Sequence, residues 1–422
     1  MSTEQASPRH VAYFAKHWPL SITRGGITPY VHHLRDGLSR IGMESSVISP
    51  APEALPRREV VPLTELSRVA GAVVRRMDGW LLQSPLPLPV CVGLAQAVRR
   101  ARARGVELVE MEEHQGIGRV AVRLGGVPVV GRLHGPHWLN FSVLGAPKAE
   151  NFARADGEER AFVQEAAGLS CPSRDTLQRM RQHWELSLEQ AVVIPNPCAP
   201  TPAGFYWRGP NPEAPILFVG RFDRHKGGDL ILKAFRKLLG QRPAQRLWFV
   251  GEDRGLYEGE RRWSLQEYLE QQFPDAQQRA QVEIKGWQTP EDVCALRKEA
   301  ALVVVPSRYE VFGMVVVEAM GAGCPVIVSD VGAFPELVRH AEDGWVFPSD
   351  DAGALARAMQ DILEQPELAA RLGERAQKTC DARYKPETVA TQTRDFYGEI
   401  LARYRRDGPQ TRGVGQGFRP SW

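Results

Sequence analysis

Residues able to do chemistry gather in a few loops of this 422-residue chain. In Ala301–Glu318, ALVVVPSRYEVFGMVVVE, two carboxylates, Glu310 and Glu318, stand with seven residues between them. The apolar run to Pro306 reads as a strand, Gly313 as a tight turn and Met314–Gly321 as a helix. Glu310 then lies in the loop beside the helix start, and Glu318 inside the helix. The N–H groups of Gly313, Met314 and Val315 would point at an anion, because a helix start has unpartnered donors and the positive end of the dipole. One solvated glutamate and one capping glutamate is the plainer reading of the same pattern.

The second stretch is Ile216–Gly228, ILFVGRFDRHKGG. Arg221 and Lys226, five residues apart after a strand, suit convergence on a diphosphate, the arginine as a fork and the lysine as a point charge. The P-loop spacing G-x-x-x-x-G-K-[ST] is absent, and a solvated basic loop is the alternative. The third is HWPLSITRGGI, residues 17–27, where Gly25 and Gly26 precede a helix and leave backbone amides open to a phosphate or a sugar; a plain turn fits equally. The fourth is VVGRLHGPH, residues 129–137, which sets His134 at the end of an apolar strand. His134 and His137 have metal-ligand spacing but no third ligand nearby, so no metal site is expected. Glu112, Glu113 and His114 also follow a strand, where they would contact an acceptor or be solvated. No two aspartates stand two residues apart, so no D-x-D motif is present to hold a divalent cation on a diphosphate.

These loops sit within a repeating pattern of short apolar runs and longer amphipathic segments. Residues 10–15, 46–49, 108–111, 128–133, 168–171 and 191–194 read as strands in the first half. Residues 216–222, 246–251, 282–286, 301–306, 325–329 and 344–347 do so in the second. Buried strands alternating with helices are the pattern of parallel βαβ units. PNPCAPTPAGFYWRGPNPEAP, residues 195–215, breaks it with proline and glycine and marks a domain boundary. The expected fold is α/β, two doubly wound Rossmann-like domains with ligands in the cleft between them. The expected domains are 1–200 and 201–390, with a helix at 391–406 crossing back to the first and a flexible tail at 407–422. Residues 351–364 and 388–405 read as surface helices.

Composition narrows the classes further. Lys plus Arg is 53 and Asp plus Glu is 50, a net charge of +3, which gives no electrostatic case for nucleic acid. The six cysteines, at 91, 171, 198, 294, 324 and 380, include no C-x-x-C pair and suit a reducing compartment. The polar start MSTEQASPRH lacks an apolar signal segment, and the weakly polar stretch 80–98 is interrupted by three prolines. A cytoplasmic protein is expected, with peripheral contact at the inner face of the membrane as an option. Nine arginines between Arg57 and Arg104, against Glu59, Glu65 and Asp78, suit an anionic acceptor or a membrane surface, or are solvated.

Taken in this order, the stretches resemble the family 4 glycosyltransferases (glycosyl transferases group 1), retaining enzymes of the GT-B fold. GRFDRHKG and PSRYEVFGMVVVEAMGAGCPVIVSDVGAFPELV, where E-x7-E fits the family pattern, carry the resemblance, which extends over about residues 10–405. VIPNP resembles the family's V-I-P-N-G linker, with Pro197 in place of the glycine. By this resemblance Arg221 and Lys226 would grip a donor diphosphate. Glu310, with the amides of Gly313, Met314 and Val315 nearby, would contact the transferred sugar, and Glu318 the ribose. Gly25 and Gly26 would cover the phosphates, His134 would sit beside the reacting centre, and Trp287 would face the base. Residues 1–200 would bind the acceptor and 201–390 the nucleotide sugar.

The implied activity moves a hexosyl unit from a UDP- or GDP-sugar to a hydroxyl of a glycan, a lipid-linked sugar or a small metabolite. A departing phosphate oxygen would take the acceptor proton, with no cofactor and no divalent metal. The alternatives are a catalytically silent nucleotide-sugar sensor and a GT-B phosphorylase or sugar-phosphate synthase.

Overall fold

Short runs of β-branched and other apolar residues form fifteen strands in the computed structural model, which describes residues 7–16, 18, 26–49, 60–62, 88–144 and 152–408. The chain divides into two compact units. One holds Met1–Trp138, Ala149–Pro197 and Pro386–Trp422, the other Leu139–Lys148 and Cys198–Lys385. The second unit thus takes over at Cys198 rather than 201. The last helix, Pro386–Asp407, begins ahead of the expected 391 and belongs to the first unit.

In the first unit β1 (His10–Phe14), β2 (Glu44–Ser49), β3 (Val60–Pro62), β4 (Leu108–Glu112), β5 (Val129–Arg132), β6 (Gly168–Cys171) and β7 (Ala191–Val193) form one parallel sheet, ordered β3-β2-β1-β4-β5-β6-β7. Alternation along a strand sends side chains to opposite faces. Val11 and Tyr13 pack with Tyr30, Leu34 and Leu38 of helix Ile27–Arg40 and with Tyr397, Ile400 and Leu401 of helix Pro386–Asp407. Ala12 and Phe14 belong to the opposite core, built with Leu94, Val98, Val120 and Phe162. Helices on both faces explain why the strands read as unbroken apolar runs.

The second unit repeats the plan. Its strands are β8 (Ile216–Val219), β9 (Leu247–Val250), β10 (Leu256–Glu258), β11 (Arg261–Trp263), β12 (Val282–Gly286), β13 (Leu302–Val305), β14 (Val326–Ser329) and β15 (Trp345–Phe347). Six form a parallel sheet in the order β12-β9-β8-β13-β14-β15, while β10 and β11 pair as a separate antiparallel hairpin. Ile216 and Phe218 pack toward helices Gly228–Leu239 and Ala352–Glu364; Leu217, Val303 and Val305 pack toward Met314–Gly321 and Pro366–Arg383. Strand order reverses between β1 and β4 in one sheet and between β8 and β13 in the other, the positions where parallel sheets open a crevice at their carboxyl ends.

Several expectations need correction. The helices read as surface elements at 351–364 and 388–405 bury whole faces, including Met359 and Ile362 in one and Val389, Phe396 and Tyr397 in the other. Hairpin β10–β11 and helix Pro366–Arg383 were not anticipated. Of the arginine-rich region, residues 63–87 and Arg57 and Arg58 lie outside the described residues, while Arg99, Arg100 and Arg102 lie on helix Leu88–Ala103. The tail from 409 also lies outside them. Among the described residues no helix is long and apolar enough to cross a membrane.

Helix Ile27–Arg40 packs tightly on the returning helix. A Cβ on Gly37 would run into the Pro386 carbonyl. Arg40 bridges to Glu387 at 2.5 Å beside it. Gly37→Ala is expected to destabilise the protein by about 1–3 kcal/mol through overpacking. Urea unfolding checks it, and an unchanged midpoint would contradict the packing.

Candidate functional site

Each unit carries a polar cluster at the carboxyl ends of its central strands. In the second unit the backbone leaves β8 at Gly220 and turns through Arg221–Gly227 into helix Gly228–Leu239. Gly227 takes a φ of 70°, and a Cβ there would strike the Pro306 carbonyl, so glycine permits both the turn and the close approach. Asp223, 4 % exposed, organises this turn. One oxygen accepts from Arg221 Nε at 2.7 Å and the other from the Lys226 backbone N–H at 2.7 Å. The Arg221 guanidinium remains 42 % exposed.

The adjacent strand, β13, feeds the second loop. Lys226 Nζ lies 2.6 and 2.9 Å from the two Glu310 oxygens, and Ser307 Oγ donates to Glu310 at 3.2 Å. Burial pushes the Glu310 carboxyl up, but Lys226, His225 and Ser307 outweigh it and hold it below the usual carboxylate value. The two loops are further stapled together. His225 Nε2 donates to the Tyr309 carbonyl at 2.8 Å, and the Arg308 N–H donates to the His225 carbonyl at 2.8 Å. Arg308 also binds both oxygens of buried Asp229, at 2.7 and 2.8 Å.

After Glu310 the chain passes Gly313, at a φ of 98°, and enters helix Met314–Gly321. The helix start offers first-turn N–H groups, including those of Met314 and Val315, with no intrahelical partner. Glu318 lies on this helix, 39 % exposed and held 2.8 Å from Arg297 of helix Pro290–Glu299. Trp287 follows β12 and is 49 % exposed. The structure therefore brings Arg221, Lys226 and Glu310 into one cluster. It places Glu318 on the helix that follows and Trp287 beyond the edge strand of the sheet.

In the first unit Gly26 caps helix Ile27–Arg40 at an ordinary φ of −78°, and a Cβ there would meet nothing within 4 Å. The chain itself does not require glycine at this position. Gly25 lies outside the described residues. His134 follows β5, with its ring 4.8 Å from that of Tyr30 in an edge-to-face contact. Burial, then the neighbouring Arg132 charge, hold the His134 imidazole well below its ordinary pKa, so it is neutral at pH 7. Tyr30 is itself fixed beneath it. Its hydroxyl donates to Glu110 at 2.8 Å, and Arg132 lies 4.6 Å above its ring centroid. Glu112 and Glu113 are buried rather than solvated, and Glu113 accepts from the His134 and Gly135 N–H groups. Among the described residues no three His, Cys, Asp or Glu side chains are grouped to hold a metal.

Reading the chain alone missed Asp223, His225, Ser307 and Arg308 as organisers of the second-unit cluster and Glu159 in the first unit, and it took Glu113, which binds backbone N–H groups, for an acceptor contact or a solvated carboxylate. For Asp223 a signal existed, since an acidic residue stood between the two cations. Ser307 lies only three residues from Glu310, whereas the partners of His225, Arg308 and Glu159 are distant in sequence and no local pattern gave them.

The family signature "Glycosyltransferase Family 4" matches residues 24–201, and "Glycosyl transferases group 1" matches 208–379. The chain is 27 % identical over 437 residues to a D-inositol 3-phosphate glycosyltransferase of Streptomyces avermitilis, covering 94 % of this chain and 89 % of that protein. It is 26 % identical over 407 residues to a glycogen synthase of Mycobacterium tuberculosis, covering 92 % and 94 %. A sucrose-phosphate synthase from Thermosynechococcus elongatus has the same fold, with a TM-score of 0.71, 23 % identity and coverage of 93 % and 99 %. So does the Anabaena protein HepE in complex with UDP-glucose, with a TM-score of 0.66, 19 % identity and coverage of 92 % and 99 %. With its two Rossmann-like units and both signatures in register, the chain belongs to the family 4 glycosyltransferases and is a glycosyltransferase of the GT-B fold.

Proposed function

We propose that this glycosyltransferase moves a hexosyl unit from a nucleoside-diphosphate sugar, UDP- or GDP-linked, to a hydroxyl acceptor, with retention at the anomeric carbon. The observation that carries the reading is the Lys226–Glu310 pair beside Arg221, at the point where strand order reverses. Without donor, each cation rests on a carboxylate, Lys226 on Glu310 and Arg221 on Asp223. An arriving diphosphate brings more negative charge than either carboxylate and draws both cations to itself. Glu310 is then released to accept hydrogen bonds from the sugar hydroxyls, and Glu318 accepts from the ribose. Trp287 serves the base.

Bond cleavage makes the sugar positive and the leaving diphosphate negative. Arg221, Lys226 and the amides of Gly313, Met314 and Val315 interact most strongly with that phosphate once the bond has stretched, so they lower the barrier as well as bind. A phosphate oxygen takes the acceptor proton on the same face, and neutral His134 supports the sugar there, with Gly25 and Gly26 giving close backbone approach.

Lys226→Ala is expected to lower kcat by about two orders of magnitude while the protein stays folded, the scale of losing one fixed transition-state donor. Release of nucleoside diphosphate from a panel of UDP-, GDP- and ADP-sugars measures it, and undiminished turnover would refute the assignment. Tight binding of a nucleotide sugar without any turnover would favour a sensor instead. Because the chain has no D-x-D motif, activity is expected to survive EDTA. Complete loss restored by Mn²⁺ would mean that a metal meets the diphosphate.

The ion pair also predicts a pH dependence of stability. Glu310 has a folded pKa below its ordinary 4.5, so its stabilisation is complete above that pH and is lost as pH falls through the folded value. The Tm difference between wild type and Glu310→Gln should therefore shrink as pH falls below 4.5. A constant difference would mean that the carboxylate is not stabilised by its partners.

A further inference from the structure

Two buried glutamates of the first unit each hold a pair of backbone N–H groups. After β5, His134 and Gly135 present successive N–H groups to one point, with Gly135 at a φ of 119°. Such a concavity usually receives an anion. Here Glu113, the residue following β4, fills it: Oε2 accepts from His134 at 2.9 Å and Oε1 from Gly135 at 2.6 Å. Glu159, on helix Phe152–Glu165, repeats the device. Its oxygens accept from Gln115 at 3.0 Å and His137 at 2.9 Å. Gln115 has a φ of 54°, a costly backbone state for a residue with a side chain, which persists only where its surroundings hold it.

Both glutamates are almost fully buried, at 1 % and 0 % exposure. Among the described residues neither pairs with a lysine or an arginine. Burial first, and then the charges of Glu159 and Glu112, push Glu113 up to about 8; burial chiefly pushes Glu159 up to about 7. Apolar side chains in their place would avoid the cost of two adjacent buried carboxyls. What apolar residues would not do is hold four N–H groups in two turns at fixed positions. The turns held this way carry His114, His134 and His137, at the carboxyl ends of β4 and β5.

We propose that Glu113 is a positioning residue: by binding the His134–Gly135 backbone at both oxygens it fixes the His134 imidazole against Tyr30 in its working orientation, with Glu159 bracing the neighbouring turns. The proposal rests on the reading of His134 as a group beside the reacting centre. Glu113 touches no substrate and acts only through the turn. A displacement of about 1 Å at a reacting group can lower turnover by about 100-fold, so a loosened turn has a large effect.

At pH 9, above the value of about 8 at which Glu113 ionises, the wild-type carboxylate has an acceptor oxygen for each of the two N–H groups, whereas Glu113→Gln preserves size but offers only one. The substitution should reduce kcat by about 10- to 100-fold with UDP-glucose or whichever nucleotide sugar is turned over. UDP affinity, set by the second unit, should stay within twofold. Introduced into His134→Ala, the same change should lower kcat less than twofold, whereas a general loss of structure would lower it equally in both backgrounds. Equal losses, or wild-type kcat in folded Glu113→Gln, would overturn the proposal.

Amide hydrogen exchange supplies a readout independent of turnover. The His134 and Gly135 amides should be protected in the wild type and exchange faster in Glu113→Gln. Glu159→Gln should speed Gln115 and His137 while leaving the first pair protected. Rapid exchange of His134 and Gly135 in the wild type would overturn the clamp, even were Glu113→Gln unable to fold. Absence of turnover with every nucleotide sugar, alongside protected amides, would instead count against the functional reading and leave the clamp standing.

Discussion

Lys226 and Glu310 lie 84 residues apart in sequence and meet because β8 and β13 are neighbours in one parallel sheet. Their ion pair is the constraint on which the second-unit cluster depends. It costs both groups some hydration, so it is maintained only where further hydrogen bonds support it. Ser307, His225 and the Arg308–Asp229 fork provide that support, turning two loops into one polar web. Within such a web a side chain loses little entropy when a ligand arrives, and a preorganised cation is worth more to a developing negative charge than a mobile one.

The first unit solves a related problem with the opposite chemistry. Its buried carboxylates are matched to hydroxyls and backbone amides instead of to cations in direct contact. Glu110 takes the hydroxyls of Tyr30 and Tyr397 at 2.8 Å each, while Glu113 and Glu159 take N–H groups. Neutral donors hold a carboxylate less strongly than a lysine does, and Glu110, Glu112, Glu113 and Glu159 all have raised pKa values, with burial the largest cause. One cluster is therefore suited to meeting an anion, the other to presenting a neutral imidazole.

Much of this was legible in the chain. Twelve of the fifteen strands announced themselves because burial on both faces demands unbroken apolar runs, with observed bounds that differ by a few residues at most; the three-residue β3, β10 and β11 did not. The α/β class followed from the same runs, and Arg221, Lys226 and Glu310 stood out because cations and carboxylates after strand ends have few structural excuses. Helix Pro366–Arg383 escaped notice because its inner face is built partly from Ala369, Gly373, Ala376 and Cys380, small residues with a weak periodic signal. The last helix looked like a surface element because Tyr397 and Thr393 are polar types; both are buried, Thr393 by donating to the Val389 carbonyl of its own helix and Tyr397 by donating to the distant Glu110. The stapling by His225, Arg308 and Asp229 joins residues about eighty positions apart, and no local pattern encodes it.

The return of Pro386–Asp407 to the first unit makes the second unit an insertion within the first. During translation, the inserted unit is complete once Lys385 has left the ribosome, when the earlier one still lacks a helix that lines its core. Until those last residues emerge, Glu110 has no Tyr397 hydroxyl and the faces of Val11 and Tyr13 are partly uncovered. Synthesis from the N-terminus therefore finishes the unit that was begun first only after the other, and one face of its complete seven-stranded sheet waits for the helix that covers it.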